Sequence, residues 1–105
     1  MAWFLLVAAG LFEVAMAYSL KLSDGFSAPI PSVAFAGFAL LSFGLLAVAL
    51  KSLDVGTAYA IWTGIGAVGT ATLGMIALGD DVSPVKIASI LLILAGVAGL
   101  HLAGH

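Results

Sequence analysis

An acidic residue, Glu13, lies in the middle of an apolar stretch near the start of the chain. A helix over residues 2–20 would place it about 15 Å from the helix start, close to the midplane of a bilayer. A bare charge there costs about 3 kcal/mol or more, so the carboxyl group should carry a proton or meet a cation in a protein-lined cavity. The alternative is a carboxyl group kept permanently neutral by a neighbouring hydrogen bond. Because acids inside membranes usually serve function, we take Glu13 as the candidate binding group for protons and a cation.

A second set of side chains that could serve such an acid lies between residues 56 and 78. Tyr59, Trp62, Gly66 and Gly69 are three, four and three residues apart and share one face of a helix. A cation site needs donors to orient the acid and aromatic faces to receive the cation. An ordinary belt of aromatic residues at the membrane interface is the alternative for the two rings. Gly64 and Gly66 weaken the helix midway and predict a hinge.

Three further residues are candidates for the lining of this site. Gly10 and Met16 lie one helical turn before and after Glu13, so they share its helix face. Ser42 carries a lone hydroxyl within an apolar stretch and can donate a hydrogen bond to the carboxylate. Alternatively, this hydroxyl donates a hydrogen bond to a carbonyl oxygen of its own helix.

The last apolar stretch offers packing rather than chemistry. Gly96 and Gly99 lie there among Leu, Ile and Val, and small residues allow two helices to approach closely. We predict that this surface holds a dimer together. His101 and His105 fall at or beyond the membrane face, where we expect them to be solvated.

The composition shows that the elements carrying these residues must face lipid. Of 105 residues, 64% are hydrophobic and 8% are charged, and the mean hydropathy is +1.30. A soluble domain is nearer half apolar and a quarter charged, so these few charges could not cover a core against water. The chain has no cysteine, which excludes disulfides and thiol chemistry.

The charged residues divide the chain into four spans. Apart from Glu13, all of them lie in short patches that mark loops: Lys21, Asp24, Lys51, Asp54, Asp80, Asp81 and Lys86. The apolar stretches between them cover about residues 2–20, 31–50, 56–78 and 85–103, and about 20 residues of helix match the hydrocarbon core. We predict an all-α membrane protein with four transmembrane helices and one domain over residues 1–105.

Local signals support these boundaries. Ser23, Asp24 and Gly25 form a turn sequence, and Pro29 and Pro31 suit the start of a helix. Asp54 can cap the third helix, and Ser83 followed by Pro84 can begin the fourth. Asp80 and Asp81 without a third ligand make a poor metal site, so a solvated turn is expected there. A secretory signal at the N-terminus is disfavoured, because Glu13 interrupts the apolar run and no basic residue precedes it.

The loop charges give little preference for one orientation. With four spans, Lys51 lies on one side of the membrane and Lys21 and Lys86 on the other. So weak a bias allows the chain to insert both ways round. An antiparallel homodimer would follow naturally from dual insertion.

The whole chain resembles the small multidrug resistance family of proton-coupled cation exporters. The most specific match is at residues 56–66, which read GTAYAIWTGIG. Residues 10–14, which read GLFEV, then residues 20–21 and 25–26 fit the family's first helix and loop. The form of residues 62–66, WTGIG, is similar to the guanidinium-exporter branch rather than to the multidrug branch.

The resemblance implies an antiparallel, dual-topology homodimer in a bacterial inner membrane. Two copies of Glu13 would form one site that protons and substrate occupy in turn. Ser42, Tyr59 and Trp62 would be its hydrogen-bonding and lining partners, and Gly10 a close-packing residue. Met16 stands where that branch usually has tryptophan, which implies a looser and more apolar site.

Several functions are consistent with these observations. The first is proton-coupled antiport that exports guanidinium or small guanidinyl cations. A broader quaternary-ammonium exporter and one subunit of a heterodimeric pair are alternatives, and a non-transporting membrane scaffold is a remote one. No nucleophile, phosphate loop or ligand cluster is present, so we expect no enzyme, cofactor or metal ion. The expected partners are a small organic cation, protons, lipid and a second copy, with no nucleic acid.

Overall fold

Four helices account for nearly all of the protein. The structure is a computed structural model that describes residues 1–103, so His105 lies outside the described residues. The helices are α1 (Ala2–Leu22), α2 (Pro29–Ala49), α3 (Val55–Ala77) and α4 (Pro84–Ala103). Each is long and apolar enough to cross a membrane, and no strand occurs among residues 1–103. The fold is therefore an all-α membrane architecture with four spans.

The helix ends lie within two residues of the apolar stretches, and local chemistry explains where they fall. Helix α2 begins at Pro29. A proline is tolerated in the first turn of a helix, because the N–H that it lacks would have no hydrogen-bond acceptor within the helix. The helix α3 begins at Val55 because the carboxylate of Asp54 accepts a bond from the N–H of Thr57 at 3.0 Å. Hydrogen bonding by the side chain and backbone of Thr57 lowers the pKa of Asp54.

The connection between α1 and α2 is a tight turn built on backbone conformations with positive φ. Asp24, Gly25 and Phe26 have φ values of 48°, 69° and 68°. Ser23 is fully buried beneath them, donating to the carbonyl oxygen of Leu20 at 2.7 Å and accepting from the N–H of Phe26 at 3.2 Å. This turn sets α1 and α2 antiparallel and side by side.

The four helices form a layer rather than a closed bundle. Helix α1 packs against both α2 and α3, whereas α4 packs mainly against α3 and meets α1 at the ring contact of His101 with Trp3. The molecule accordingly measures 42 × 34 × 17 Å. The buried core comes from the first three helices and consists of Leu6, Ala9, Leu46, Ala49, Ala58, Ile61 and Trp62. No residue of α4 is buried.

Glycines set the short distance between α1 and α3. A Cβ added at Gly10 would lie 2.6 Å from Cγ2 of Ile65, and one added at Gly69 would overlap the side chain of Val14. One helix therefore provides bare backbone where the other provides a branched side chain, so the two helices lie closer than larger residues would allow. This close approach brings the middle of α1, where Glu13 lies, directly onto α3.

Candidate functional site

The carboxyl group of Glu13 lies against the backbone of α3 at Gly66. A Cβ added at Gly66 would overlap Oε1 and Cδ of the carboxyl group. Gly66 is buried, and the Oε1 atom of Glu13 is buried without a hydrogen-bond partner among the described residues. A buried polar atom without a partner is costly and points to a functional group that binds something else. The geometry thus presents an acid ready for a proton or a cation.

A buried hydrogen-bond chain joins three helices next to this acid. The indole N–H of Trp62 in α3 donates to the hydroxyl oxygen of Ser42 in α2 at 2.9 Å. The Ser42 hydroxyl in turn donates to the backbone carbonyl oxygen of Ala9 in α1 at 2.7 Å. Ser42 is fully buried and Trp62 is 4% exposed, so both bonds are shielded from water.

The hydrogen bond that the Ser42 hydroxyl donates differs from both of the bonds that the sequence predicted for it. Its hydroxyl donates neither to the carboxylate of Glu13 nor to a carbonyl oxygen of its own helix. The reason is the close packing of α1 on α2, which places the carbonyl oxygen of Ala9, one turn before the acid, within reach of the hydroxyl. In this structure Ser42 holds Trp62 in place and does not contact the acid through a hydrogen bond.

The two aromatic residues of the α3 stripe have different environments. The rings of Tyr59 and Trp62 are 5.4 Å apart, and Phe43 packs on the indole at 5.2 Å. Trp62 is bonded inside the protein, which excludes an interfacial belt as its role. Tyr59 is 55% exposed on the outer face of the layer. The structure brings these rings together, and Tyr59 lies where lipid or a second copy can reach it.

The remaining candidates of α1 and α3 lie near the acid or at helix contacts. Met16 is partly buried one turn beyond Glu13, and Gly10 is buried against Ile65. Gly64 is buried, with a Cβ there 2.6 Å from Cγ2 of Val97 in α4. Helix α3 is continuous through Gly64 and Gly66. The hinge therefore stays a prediction, while the structure gives both glycines a second role in close packing.

The α4 candidates lie on an open surface. A Cβ added at Gly96 or Gly99 would meet nothing within 4 Å, and both residues are exposed. Nothing among residues 1–103 packs on these two glycines, so dimer packing by them stays a prediction. The ring of His101 makes an edge contact with Trp3 at 4.4 Å and 84°, and the residue is exposed.

The sequence reasoning missed two features of the site. One is the contact between Gly66 and the carboxyl group of Glu13, although the spacing of Gly66 from Tyr59 and Trp62 had placed it on the same face. The other is the carbonyl oxygen of Ala9 as the acceptor for Ser42. No sequence signal marks a backbone acceptor in an unbroken helix, so this feature could be found only in three dimensions.

A thin layer of four membrane-spanning helices, with an acid of α1 against the backbone of α3, is the architecture of a small integral membrane protein. Comparison with known proteins agrees with this class. The model of the family described as Small Multidrug Resistance protein matches residues 1–93. The chain belongs to the small multidrug resistance family.

Full-length relatives carry a more specific name. The chain is 51% identical to the "Guanidinium exporter" of Escherichia coli (strain K12) over 105 residues, which covers all of both proteins. It is 56% identical to the "Guanidinium exporter" of Yersinia pseudotuberculosis over 103 residues, 98% of this chain and 99% of the relative. It is 50% identical over 105 residues to the protein of the same name from Salmonella typhimurium.

Membership in this family has two direct consequences. The chain is a transporter rather than an enzyme. It is a multi-pass integral membrane protein, which in bacteria means the inner membrane.

Proposed function

We propose that this chain exports guanidinium or small guanidinyl cations in exchange for protons, with Glu13 as the group that binds both. The observation that carries the proposal is the buried Oε1 atom of Glu13, which has no hydrogen-bond partner among the described residues. Three full-length relatives named "Guanidinium exporter" support the choice of cation. A planar guanidinium ion matches a carboxylate through two parallel N–H bonds.

The exchange follows from competition for one carboxyl group. A protonated Glu13 cannot attract a cation, and a carboxylate paired with a cation has no free charge for a proton. A bound cation therefore leaves when protons replace it, and an inward proton gradient drives efflux. Ser42, Tyr59 and Trp62 form the aromatic and polar wall beside this exchange, with Gly10 and Met16 on the helix face of Glu13 itself.

We propose further that the working unit is an antiparallel homodimer. The layer leaves large surfaces uncovered: Tyr59 is exposed, and Gly96 and Gly99 of α4 meet nothing among the residues that the structure describes. A second copy could cover both and would supply a second Glu13. Lys51 on one side against Lys21 and Lys86 on the other gives the weak bias that dual insertion requires.

The direct test is the current produced by purified protein in liposomes when guanidinium is added with and without a proton gradient. We expect a guanidinium current that responds to the proton gradient, and its loss in Glu13→Gln, which keeps the shape but cannot exchange a proton. Ser89→Ala is a suitable control, because Ser89 is an exposed residue that bonds only within its own helix. Uphill guanidinium movement by Glu13→Gln would show that another group couples transport.

A broader substrate range is the second candidate, and Met16 favours it. The thioether side chain is partly buried one turn from Glu13 and is flexible enough to pack around alkyl groups. Alkylated guanidinium and quaternary ammonium ions are therefore included in the same assay. A current produced only by a bulky quaternary ammonium ion would replace guanidinium export with multidrug export.

A further inference from the structure

A cavity lies apart from Glu13, between the end of α3 and the beginning of α4. Its volume is about 410 Å³, which is large enough for part of a lipid or a small ligand. Six of its lining residues matter for the argument: Ala71, Asp80, Ser83, Lys86, Ile90 and Ile93. We call this cavity the α3–α4 crevice. Because α3 ends and α4 begins here, the mouth of the crevice lies at the level of lipid headgroups.

One wall of the α3–α4 crevice carries a carboxylate that the loop holds against α3. The N–H of Asp80 donates to the carbonyl oxygen of Gly74 at 3.0 Å. Its carboxylate lies where a Cβ of Gly74 would be, so only glycine at position 74 leaves room for it. Gly79 has a φ of +73° and makes the turn that returns the chain to this position. The loop geometry thus directs an acid into the crevice.

The crevice is also lined by the ammonium group of Lys86, which pairs with no carboxylate among residues 1–103. The Nζ atom of Lys86 donates to the backbone carbonyl oxygen of Asp81 at 2.7 Å, which leaves two of its three N–H bonds available. The hydroxyl oxygen of Ser83 accepts the backbone N–H of Lys86 at 3.1 Å and so holds the start of α4. A negative and a positive group therefore line one crevice at headgroup level.

The inner part of the crevice is apolar. Ala71 lines it from α3, and Ile90 and Ile93 line it from α4, a helix that buries no residue of its own. A ligand that fills the whole crevice therefore combines an apolar chain with a cation and an anion at one end. Phospholipids whose headgroup carries an ammonium and a phosphate have this combination.

We propose that the α3–α4 crevice binds a phospholipid with a primary ammonium headgroup, of the phosphatidylethanolamine type. The ammonium meets the carboxylate of Asp80, the phosphate meets Lys86, and an acyl chain lies along Ile90 and Ile93. A trimethylammonium headgroup has no N–H to donate to Asp80, and a headgroup with only negative charge is repelled by it. The site thus distinguishes lipids by the chemistry of the headgroup nitrogen, and it does not depend on the proposed substrate.

The test is native mass spectrometry of the full chain in detergent with phosphatidylethanolamine, phosphatidylcholine and phosphatidylglycerol that share the same acyl chains. We expect the ethanolamine lipid to be retained about threefold more than the choline lipid, because only the ethanolamine ammonium can donate N–H hydrogen bonds to Asp80 and a net hydrogen bond contributes about 1 kcal/mol. Asp80→Asn should remove this preference. Asp81→Asn is the matched control, because it changes the charge equally at the next residue, whose side chain does not line the crevice.

Equal retention of the ethanolamine and choline lipids by the unchanged protein would overturn the proposal, and so would a preference that survives in Asp80→Asn. Equal retention is the result expected if a second copy of the chain covers the crevice. Lys86→Gln gives an independent test, because it removes the group that meets the phosphate and should lower retention of both lipids together. Unchanged retention in Lys86→Gln would also contradict the proposal. Circular dichroism of each variant confirms that the helices are intact.

Discussion

The carboxyl group of Glu13 occupies the space that a side chain at Gly66 would fill. The proposed binding group and the bare backbone of α3 are therefore parts of one arrangement, held by the close approach of α1 and α3. The Oε1 atom of Glu13 is buried, has no hydrogen-bond partner among the described residues, and faces protein rather than lipid. This relationship explains why α3 has glycine at the point nearest the acid, whether or not the helix also bends there.

The first prediction is that Gly66→Ala strongly reduces transport. The new methyl group must displace the carboxyl group or separate α1 from α3, and overpacking of this kind typically costs about 1 to 3 kcal/mol. We expect a loss of guanidinium current in liposomes of about fivefold or more, since about 1.4 kcal/mol corresponds to a factor of ten. Gly56→Ala in the same helix is the control, because its Cβ would meet only Asp54 Oδ2 at 3.9 Å. Equal activity of the two variants would mean that Glu13 adopts another position in the working protein.

The second prediction concerns the hydrogen-bond chain from Trp62 through Ser42 to Ala9. Ser42→Ala leaves the indole N–H and the carbonyl oxygen without their buried partner, which should cost about 1 to 3 kcal/mol. Unfolding in detergent followed by circular dichroism measures this loss in every variant, including those that lack Trp62. Trp62→Phe removes the donor, and the effects of the two changes should be clearly non-additive in the double variant, because both act on one bond. Additive effects would indicate that the bond contributes nothing to stability.

The third prediction is that Met16→Trp narrows the substrate range. An indole at this position adds a rigid donor beside Glu13 and removes a flexible side chain that can pack around alkyl groups. Transport of alkylated guanidinium ions should fall relative to guanidinium itself, measured on one preparation. Met16→Leu, which keeps the volume and adds no donor, should retain the original range. An unchanged profile in the tryptophan variant would place Met16 outside the site.

The fourth prediction tests dual insertion. Because the loop charges are nearly balanced, a tag at the C-terminus should be labelled from both sides of the membrane. Replacing Ser52 with Arg and inserting a second Arg beside it should fix one orientation, since Lys51 already lies in that loop. Transport should then fall, because oppositely oriented copies become scarce. Full activity with single-sided labelling would exclude an antiparallel pair.

The fifth prediction is a pH dependence of stability that arises from Asp54. Hydrogen bonding by Thr57 lowers its pKa in the folded protein, so the carboxylate form is the stabilising one. This contribution is present above the pKa of the unfolded chain, about 3.9. It is lost as the pH falls through the lower pKa of the folded protein.

Thermal unfolding in detergent between about pH 3 and 6 measures this effect. Asp54→Asn keeps an acceptor at the helix start and should reduce the pH dependence without lowering stability at neutral pH. Asp54→Ala loses the cap and should lower the melting temperature at neutral pH. An acid dependence that is the same in Asp54→Asn and in the unchanged protein would exclude Asp54 as its source.

The sequence alone predicts the four helices and their approximate ends, since both depend on local properties. Spans of about 20 apolar residues, the charged patches between them, Pro29 at the start of α2 and Asp54 before α3 are all readable one segment at a time. Glu13 is conspicuous for the same reason, because a charge at the centre of an apolar span needs no neighbours to be costly.

Contacts between helices are decided only by the tertiary structure. All four helices are apolar around most of their circumference, so the sequence does not say which face of one meets which face of another. Tertiary packing placed the hydroxyl of Ser42 on the carbonyl oxygen of Ala9, the carboxyl group of Glu13 on Gly66, and α4 mainly against α3. In lipid the hydrophobic effect does not select these faces, because the hydrocarbon is as apolar as the side chains. Close packing at small residues and a few buried hydrogen bonds select them instead, and both depend on how the surfaces of two helices fit.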